Sequence, residues 1–469
     1  MKEYFIHLFE TPLGKYFYDV NMNKIVEISD ELYYFLESGE NLTKELQEQI
    51  EMLKKSGYLK NNRVEICKHP VTDYIDDYLN QRLSYLVLQV TQTCNLRCEY
   101  CVYSGGYKTR THSKKHMTYE TATKAIDFFI EHSKDEEILY FGFYGGEPLI
   151  EFEMIRKCVD YIKKASFGKK ISFNLTTNAT LLTEEIMGFF VQNDFHVVIS
   201  LDGPKEIHDR SRHLMNSGSG SFDKIIENLK KFYLLYPQYY KKMVAFNAVL
   251  LPTYGINKID CFFSENYLLK ENAISASIVS DAYSKNEIEF RNTYITEERY
   301  KEFLILWSKL KKIRKFPKMK IAENIFGELK NFNESITFFE RRKLPTEWQH
   351  AGPCIPGVKR LFVNVDGAFF PCEKVSEIQS ENCMGNIKEG FNLETVERLL
   401  NVGKVNEKIC KNCWIYSFCN VCIVNKSKVC KDDLFCSIQK ENIEEKMITC
   451  KMLEKMGYSF ENEQFEEAE

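Results

Sequence analysis

No apolar run of about 18 residues, the length a membrane-spanning helix needs, occurs in the 469 residues. The opening stretch, MKEYFIHLFETPLGK, sets Glu3, His7 and Glu10 among its apolar positions and so breaks a signal-peptide core. A soluble, cytoplasmic protein with no membrane partner is expected. Net charge is scarce too. Lys+Arg at 63 against Asp+Glu at 67 leaves -4, which gives no reason to expect nucleic acid. With 44% hydrophobic and 28% charged residues the chain can bury a sizeable core, and its length suggests roughly three domains.

Cysteine is abundant by contrast. Sixteen thiols in a reducing compartment argue for metal ligation rather than disulfides. Three lie within residues 94 to 101 and nine within residues 354 to 436. Cys67, Cys158, Cys261 and Cys450 stand alone and read as small buried hydrophobes.

Residues 1–75 read as a separate winged-helix-like module. Strand-like runs at Tyr4 to Glu10 and Tyr16 to Ile28 lead into helices at Asp30 to Leu36 and Asn41 to Lys55, the second with Leu42, Leu46, Ile50 and Leu53 at helical spacing. Gly57 ends that helix before a closing strand at Tyr58 and Leu59. Residues 68 to 84 read as a linker. Over residues 85–290, strand candidates at Tyr85 to Val90, Ile138 to Phe143, Ile171 to Leu175, His196 to Leu201, Met243 to Leu251 and Ile274 to Val279 alternate with amphipathic helices. One such helix spans Tyr119 to His132. This pattern predicts an α/β fold, a partial (β/α)6 barrel with its chemistry at the C-terminal strand ends. A helical bridge (291–350), a cysteine-rich domain (351–455) and a disordered tail (456–469) follow. The run Lys309, Lys311, Lys312, Arg314 and Lys315 reads as a solvated helix face.

Cys94, Cys98 and Cys101 follow the first strand, so three thiolates converge on a tight loop. Three ligands for a four-iron cluster leave one iron open to S-adenosylmethionine (SAM). A zinc site is the bland alternative. The motif CxxxCxxC with Tyr100 before its last cysteine resembles the radical SAM superfamily. Tyr144-Gly145-Gly146-Glu147-Pro148 resembles that family's GGEP segment, which implies that the backbone at Gly145 and Gly146 and the Glu147 carboxylate receive the SAM amino group. Thr176-Thr177-Asn178-Ala179-Thr180 stands where relatives carry TTNGT, with Ala179 in place of glycine, and Ser200-Leu201-Asp202-Gly203 matches SLDG. The resemblance makes Tyr100, Asn178 and Ser200 SAM contacts and pairs Arg212 with the SAM carboxylate.

The later cysteines resemble the SPASM extension of peptide-modifying radical SAM enzymes. That likeness implies two auxiliary clusters, three 4Fe-4S clusters in all. Cys354, Cys372 and Cys422 would hold the first, and Cys410, Cys413, Cys419 and Cys436 the second. Cys430 competes with Cys436, and Cys383 is a candidate fourth ligand for the first, which otherwise keeps an open iron suited to a substrate thiolate. A zinc ribbon of Cys410, Cys413, Cys419 and Cys422 is the alternative, and it leaves Cys354, Cys372 and Cys436 unexplained.

The N-terminal module resembles precursor-recognition domains, which implies that a leader peptide adds to a strand edge away from the clusters. Its second helix balances Glu45, Glu48 and Glu51 against Lys44, Lys54 and Lys55, giving nucleic acid little to hold. The stretch Cys101 to Thr118 is most similar to maturases of cysteine-rich peptides, of the sactipeptide and ranthipeptide kind. The implied activity joins a cysteine sulfur to a carbon of a ribosomally made precursor, with flavodoxin or ferredoxin as low-potential donor and no protein general base required. Rivals are an anaerobic sulfatase-type maturase, an epimerase or carbon-carbon crosslinker, and a non-enzymatic cluster scaffold.

Overall fold

The computed structural model describes residues 4–166, 168–280, 282–285, 287–313, 319–337, 344–350, 354–425 and 433–460. Arg314, Lys315, Cys430 and the tail residues 461–469 lie outside them.

The N-terminal strands β1 (Ile6–Thr11), β2 (Gly14–Asp19) and β3 (Lys24–Ile28) form an antiparallel meander. The expected single run from Tyr16 to Ile28 is therefore two strands, parted by a turn that holds Asn23 at a positive φ of 52°. Helices α1 (Asp30–Ser38) and α2 (Lys44–Lys55) follow. The second begins later than Asn41, because Thr43 accepts the Leu46 N–H at 3.2 Å and so caps it. Leu42 is left outside the helix and exposed. The closing strand does not form: Tyr58 and Leu59 lie outside any strand, and Leu59 adopts a positive φ. The Leu59 N–H instead reaches the buried Asp19 carboxylate at 2.9 Å.

Residues read as a linker are folded. A helix over Ile75–Gln81 sends Ile75 and Leu79 into the main core, where Leu83 joins them. The six expected strands are present at Tyr85–Thr91, Ile138–Gly145, Lys170–Thr177, His196–Ser200, Val244–Leu250 and Ala273–Ile278. Each pairs in parallel with the next, and Leu361–Val363 adds a further parallel strand beside the first. The sheet is open rather than closed. Period-2 alternation puts Leu86, Leu88, Phe141, Phe143, Phe173, Leu175, Val197, Ile199 and Phe246 against the helices as one buried core. The register then places Gln89, Tyr144, Thr176, Ser200, Asn247 and Ser275 on the other face. That face is mostly polar.

Helices Asn292–Leu310 and Lys320–Thr337 lead to the C-terminal region, which ends in the helix Asp433–Lys455. Phe460, within the expected tail, is buried against Phe326. Among the described residues no helix is long and apolar enough to cross a membrane.

Candidate active site

The loop after the first core strand brings Cys94 and Cys98 into burial and leaves Cys101 half-buried. They pack together with Leu96, Tyr100 and Leu214. Two backbone N–H groups point at sulfur, Leu96 at Cys94 Sγ (3.4 Å) and Tyr103 at Cys101 Sγ (3.5 Å). Burial pushes the Cys94 thiol up to about 12 and Cys98 to about 11. Such thiols keep their protons until a cation draws them off, so this buried donor set of sulfur alone fits a soft metal site. Its three thiols suit an iron-sulfur cluster with one iron left for SAM.

The two glycines of the GGEP segment weld the second core strand to this loop. A Cβ on Gly145, whose φ is +145°, would stand 2.0 Å from the Thr91 carbonyl oxygen, and one on Gly146 2.2 Å from that of Thr93. The same close approach lets Gly146 N–H bond Thr91 O and Glu147 N–H bond Thr93 O, both at 2.9 Å. Their N–H groups are thus committed within the protein. Glu147 is buried and accepts from Thr177 Oγ1 (2.7 Å), Leu149 N–H (3.1 Å) and Asn178 N–H (2.8 Å). Burial outweighs these donors and pushes its carboxyl up to about 7. Asn178 Nδ2 donates to Asn95 Oδ1 (2.9 Å) and stands 4.0 Å from Cys94 Sγ. Ala179, where relatives have glycine, sits in the left-handed region at φ 59°.

Arg212 lies opposite Cys98, because Arg212–Leu214 pairs antiparallel with Leu96–Cys98. Its fork is already occupied. Nε and Nη2 donate to Asp202 at 2.7 and 3.0 Å, both side chains being under a tenth exposed, while Nη1 stands 4.0 Å from Cys98 Sγ. Asp202 thus takes two of the guanidinium's donors and leaves Nη1 facing the cysteine loop. Asp202 also accepts the Tyr100 hydroxyl and the Val249 N–H. Burial would raise its carboxyl, but the Arg212 guanidinium holds it below the usual range. His208 Nδ1 accepts the Asp202 N–H at 3.3 Å, so Nε2 carries the proton donated to Ser221 Oγ at 3.0 Å. Burial drives His208 down to about 3 and keeps it neutral. Asp202 and His208 were missed as site residues. The only signal was an aspartate at a strand's C-terminal end.

On the polar face of the sheet, beside Gln89, a buried pair ties the cysteine loop to the C-terminal region. Arg110 Nε stands 3.1 Å from Glu377 Oε1, and Gln89 Nε2 donates to both Tyr103 Oη and Glu377 Oε1 at 2.8 Å. Close to Cys372, Arg360 Nη1 donates to Glu373 Oε1 at 2.5 Å, while Glu373 Oε2 is buried with no hydrogen-bond partner among the described residues. The sequence reading assigned neither carboxylate.

Cys354, Cys372 and Cys422 come together. After burial and Glu373, the charges that raise Cys372 to about 12 are those of Cys354 and Cys422. Cys383 is turned elsewhere: its thiol donates to Gly385 O at 3.3 Å and packs with Val87, Phe362 and Phe370. Cys410, Cys413, Cys419 and Cys436 line one cavity of about 200 Å³ together with His350 and Tyr416. The second grouping offers thiol sulfur around one space, a donor set suited to a cluster, although among the described residues no three of these side chains are placed closely enough to grip a metal ion as they stand.

Cys67 is buried in an apolar core, as read from the sequence, with its Sγ 3.3 Å from the Tyr416 hydroxyl, and Cys410 packs against the same core. The N-terminal module, read as separate, does not stand apart from the cysteines. His7 stacks on Trp414 with ring centroids 3.6 Å apart and bonds Glu444 at 3.1 Å. Tyr18 meets Phe418, and Asn62 Nδ2 donates to Lys411 O at 2.7 Å.

An open parallel sheet with a three-cysteine loop at the C-terminal end of its first strand is the architecture of radical SAM enzymes. The Radical SAM superfamily model matches residues 88–260, so the chain carries a radical SAM domain. It is 26% identical over 384 residues to the cysteine-type anaerobic sulfatase-maturating enzyme of Clostridium novyi (strain NT), covering 77% of this chain and 94% of that enzyme. To the radical SAM cyclopropyl synthase TigE of Paramaledivibacter caminithermalis it is 28% identical over 259 residues, 53% of this chain and 50% of that protein. The fold is similar to the structure of native anSMEcpe with bound AdoMet and Kp18Cys peptide, with a TM-score of 0.58 at 22% identity over 80% of this chain and 98% of that one.

Proposed function

We propose that the protein is a radical SAM peptide maturase that joins a cysteine sulfur to a carbon of a ribosomally made precursor. The observation that carries this reading is the buried tie between the radical loop and the segment after Cys372: Arg110 Nη2 donates to Val375 O at 2.7 Å, and its Nε stands 3.1 Å from Glu377 Oε1. The radical loop is thereby held beside a second thiol-bearing segment. Cys94, Cys98 and Cys101 would hold a cluster with one iron open to SAM, which together would supply a 5'-deoxyadenosyl radical.

The chain's own residues bind and orient. Glu147 and Asn178 hold the SAM amino acid end, Ser200 faces it from the polar face of the sheet, and Arg212, fixed by Asp202 and Tyr100, keeps a cation beside Cys98. Cys354, Cys372 and Cys422 leave a fourth position for the substrate thiol, and Cys383 does not fill it. The bookkeeping closes. A C–H and an S–H bond break and a C–S bond forms; one hydrogen atom leaves on 5'-deoxyadenosine, a proton goes to solvent, and one electron passes to the auxiliary centres. Cys410, Cys413, Cys419 and Cys436 would hold the second of these, and a flavodoxin or ferredoxin would supply the first electron.

Replacing Cys94, Cys98 and Cys101 together by alanine should abolish reductive SAM cleavage and lower iron by about four per chain. Retained cleavage refutes the assignment. A second reading, oxidation of a single cysteine or serine of a sulfatase, is favoured by the likeness to cysteine-type and serine-type sulfatase-maturating enzymes. Mass spectrometry separates the two: a thioether loses two hydrogens and links two residues, whereas oxidation leaves the product unlinked.

A further inference from the structure

The last core strand, Ala273–Ile278, lies at one edge of the sheet and pairs on one flank only, with Val244–Leu250. In a parallel ladder alternate residues of a strand turn both N–H and C=O toward the same neighbour. The phase is fixed here. Val279 N–H donates to Leu250 O at 3.0 Å, so the odd-numbered residues face Val244–Leu250, and the main-chain groups of Ile274, Ala276 and Ile278 face outward. Asn324 Nδ2 donates to Ile274 O at 3.2 Å. Among the described residues no hydrogen bond reaches the outward N–H or C=O of Ala276 or Ile278.

An open row of N–H and C=O recruits extended chains, and proteins blunt such an edge with charge, proline or a bulge. This strand has none of the three: it reads AISASI, and its register with Val244–Leu250 runs unbroken. Ser275, Ser277 and Ile278 are exposed along it. The complement of such a row is another main chain. Its open half also lies nearest the radical loop, because beyond Ile278 the chain is strapped to the residues that follow Cys101. Tyr107 and Ser284 form an antiparallel bridge, Lys108 N–H donates to Tyr283 O and Lys285 N–H to Gly106 O, each at 2.9 Å, and the Tyr107 hydroxyl donates to Ser280 O at 3.0 Å. A strand laid along Ala276 and Ile278 is therefore directed at the cysteine loop.

We propose that Ala276 and Ile278 form a docking edge to which an extended segment of the peptide substrate adds as a strand. Side chains of an added strand alternate between the two faces of the sheet, so every second residue of the segment is presented on the polar face that carries Ser275, Ser200 and Gln89. Asn324 occupies Ile274 O and so marks where the pairing stops. The segment bound here is the one to be modified, not the leader expected on the N-terminal meander. This inference rests on the reading of the protein as a peptide maturase.

The test uses full-length protein reconstituted with iron and sulfide and loaded with SAM. A display library of random peptides around a fixed cysteine is selected on it and counter-selected on Ala276→Pro, which removes an outward N–H and no ladder bond. Peptides that bind the first and not the second should remain, and Ala276→Ser, which keeps the N–H, should bind them as the parent does. N-methylation of the best peptide then reads the main-chain pairing: methylating one alternate set of residues should weaken binding roughly tenfold or more, while methylating the other set changes it less than about twofold. An empty pool after counter-selection, or equal loss from both sets, overturns the proposal. So does sedimentation that shows a peptide-free dimer split by Ala276→Pro, since a second copy then holds the edge. Each measurement reads binding without turnover, so failure here leaves the radical assignment intact, whereas absent SAM cleavage sinks the maturase reading and leaves the edge standing.

Discussion

Asp202 holds the radical site together more than any cysteine does while metal is absent. It receives Arg212, Tyr100 and Val249, three groups from three segments, in a place with almost no solvent. Asp202→Asn would leave the Arg212 guanidinium buried and uncompensated, so unfolding of the iron-free protein by denaturant should show a loss of about 3–5 kcal/mol. Wild-type stability in that variant would mean Arg212 finds another anion. His208 gives a pH signature. Its folded-state value of about 3 lies below the ordinary 6.5, so below pH 6.5 the unfolded chain binds a proton the folded one refuses. Its contribution is therefore complete above pH 6.5 and declines on acidification. The stability gap between wild type and His208→Gln should shrink by about 1.4 kcal/mol per pH unit below 6.5. A gap constant from pH 7 to pH 5 would contradict a buried neutral imidazole.

Elements that look separable along the chain are not separable in space. Phe5, Phe9, Tyr16, Tyr18 and Val20 of the N-terminal module share a core with Phe326, Tyr416, Met447 and Leu453. The short strand Ile66–Cys67 pairs with Glu347–Trp348, and Cys67 N–H donates to Glu407 Oε1 at 2.6 Å. The module thereby packs on Trp414, Phe418 and Lys411, residues interleaved with Cys410, Cys413 and Cys419. Deleting residues 1–64 should expose that core, lower the melting temperature and cost about four irons per chain. Iron analysis of the truncated protein decides it: an undiminished count would show a module that is merely attached. The two-glycine weld acts at the same scale. It locks the second strand to the cysteine loop with bonds that any larger residue would break.

Across the whole molecule the parallel sheet was legible because its strands are short, apolar on one face and separated by amphipathic helices, and nearest-neighbour parallel order follows from right-handed crossovers. The three thiols of the radical loop were legible because they are close in sequence, so local geometry alone gathers them. The splitting of Tyr16 to Ile28 was hidden, since its turn uses Asn23 rather than the glycine that usually marks a left-handed position. What only the tertiary structure decided was every pairing between distant segments. Asp202 claims the fork of Arg212, Cys383 turns to Gly385, and Cys67 meets Tyr416 across 349 residues. Sequence spacing carries the periodicity of an element and the ligands of one loop. It does not carry which buried charge will neutralise another, because that choice depends on burial, and burial exists only once the segments have packed.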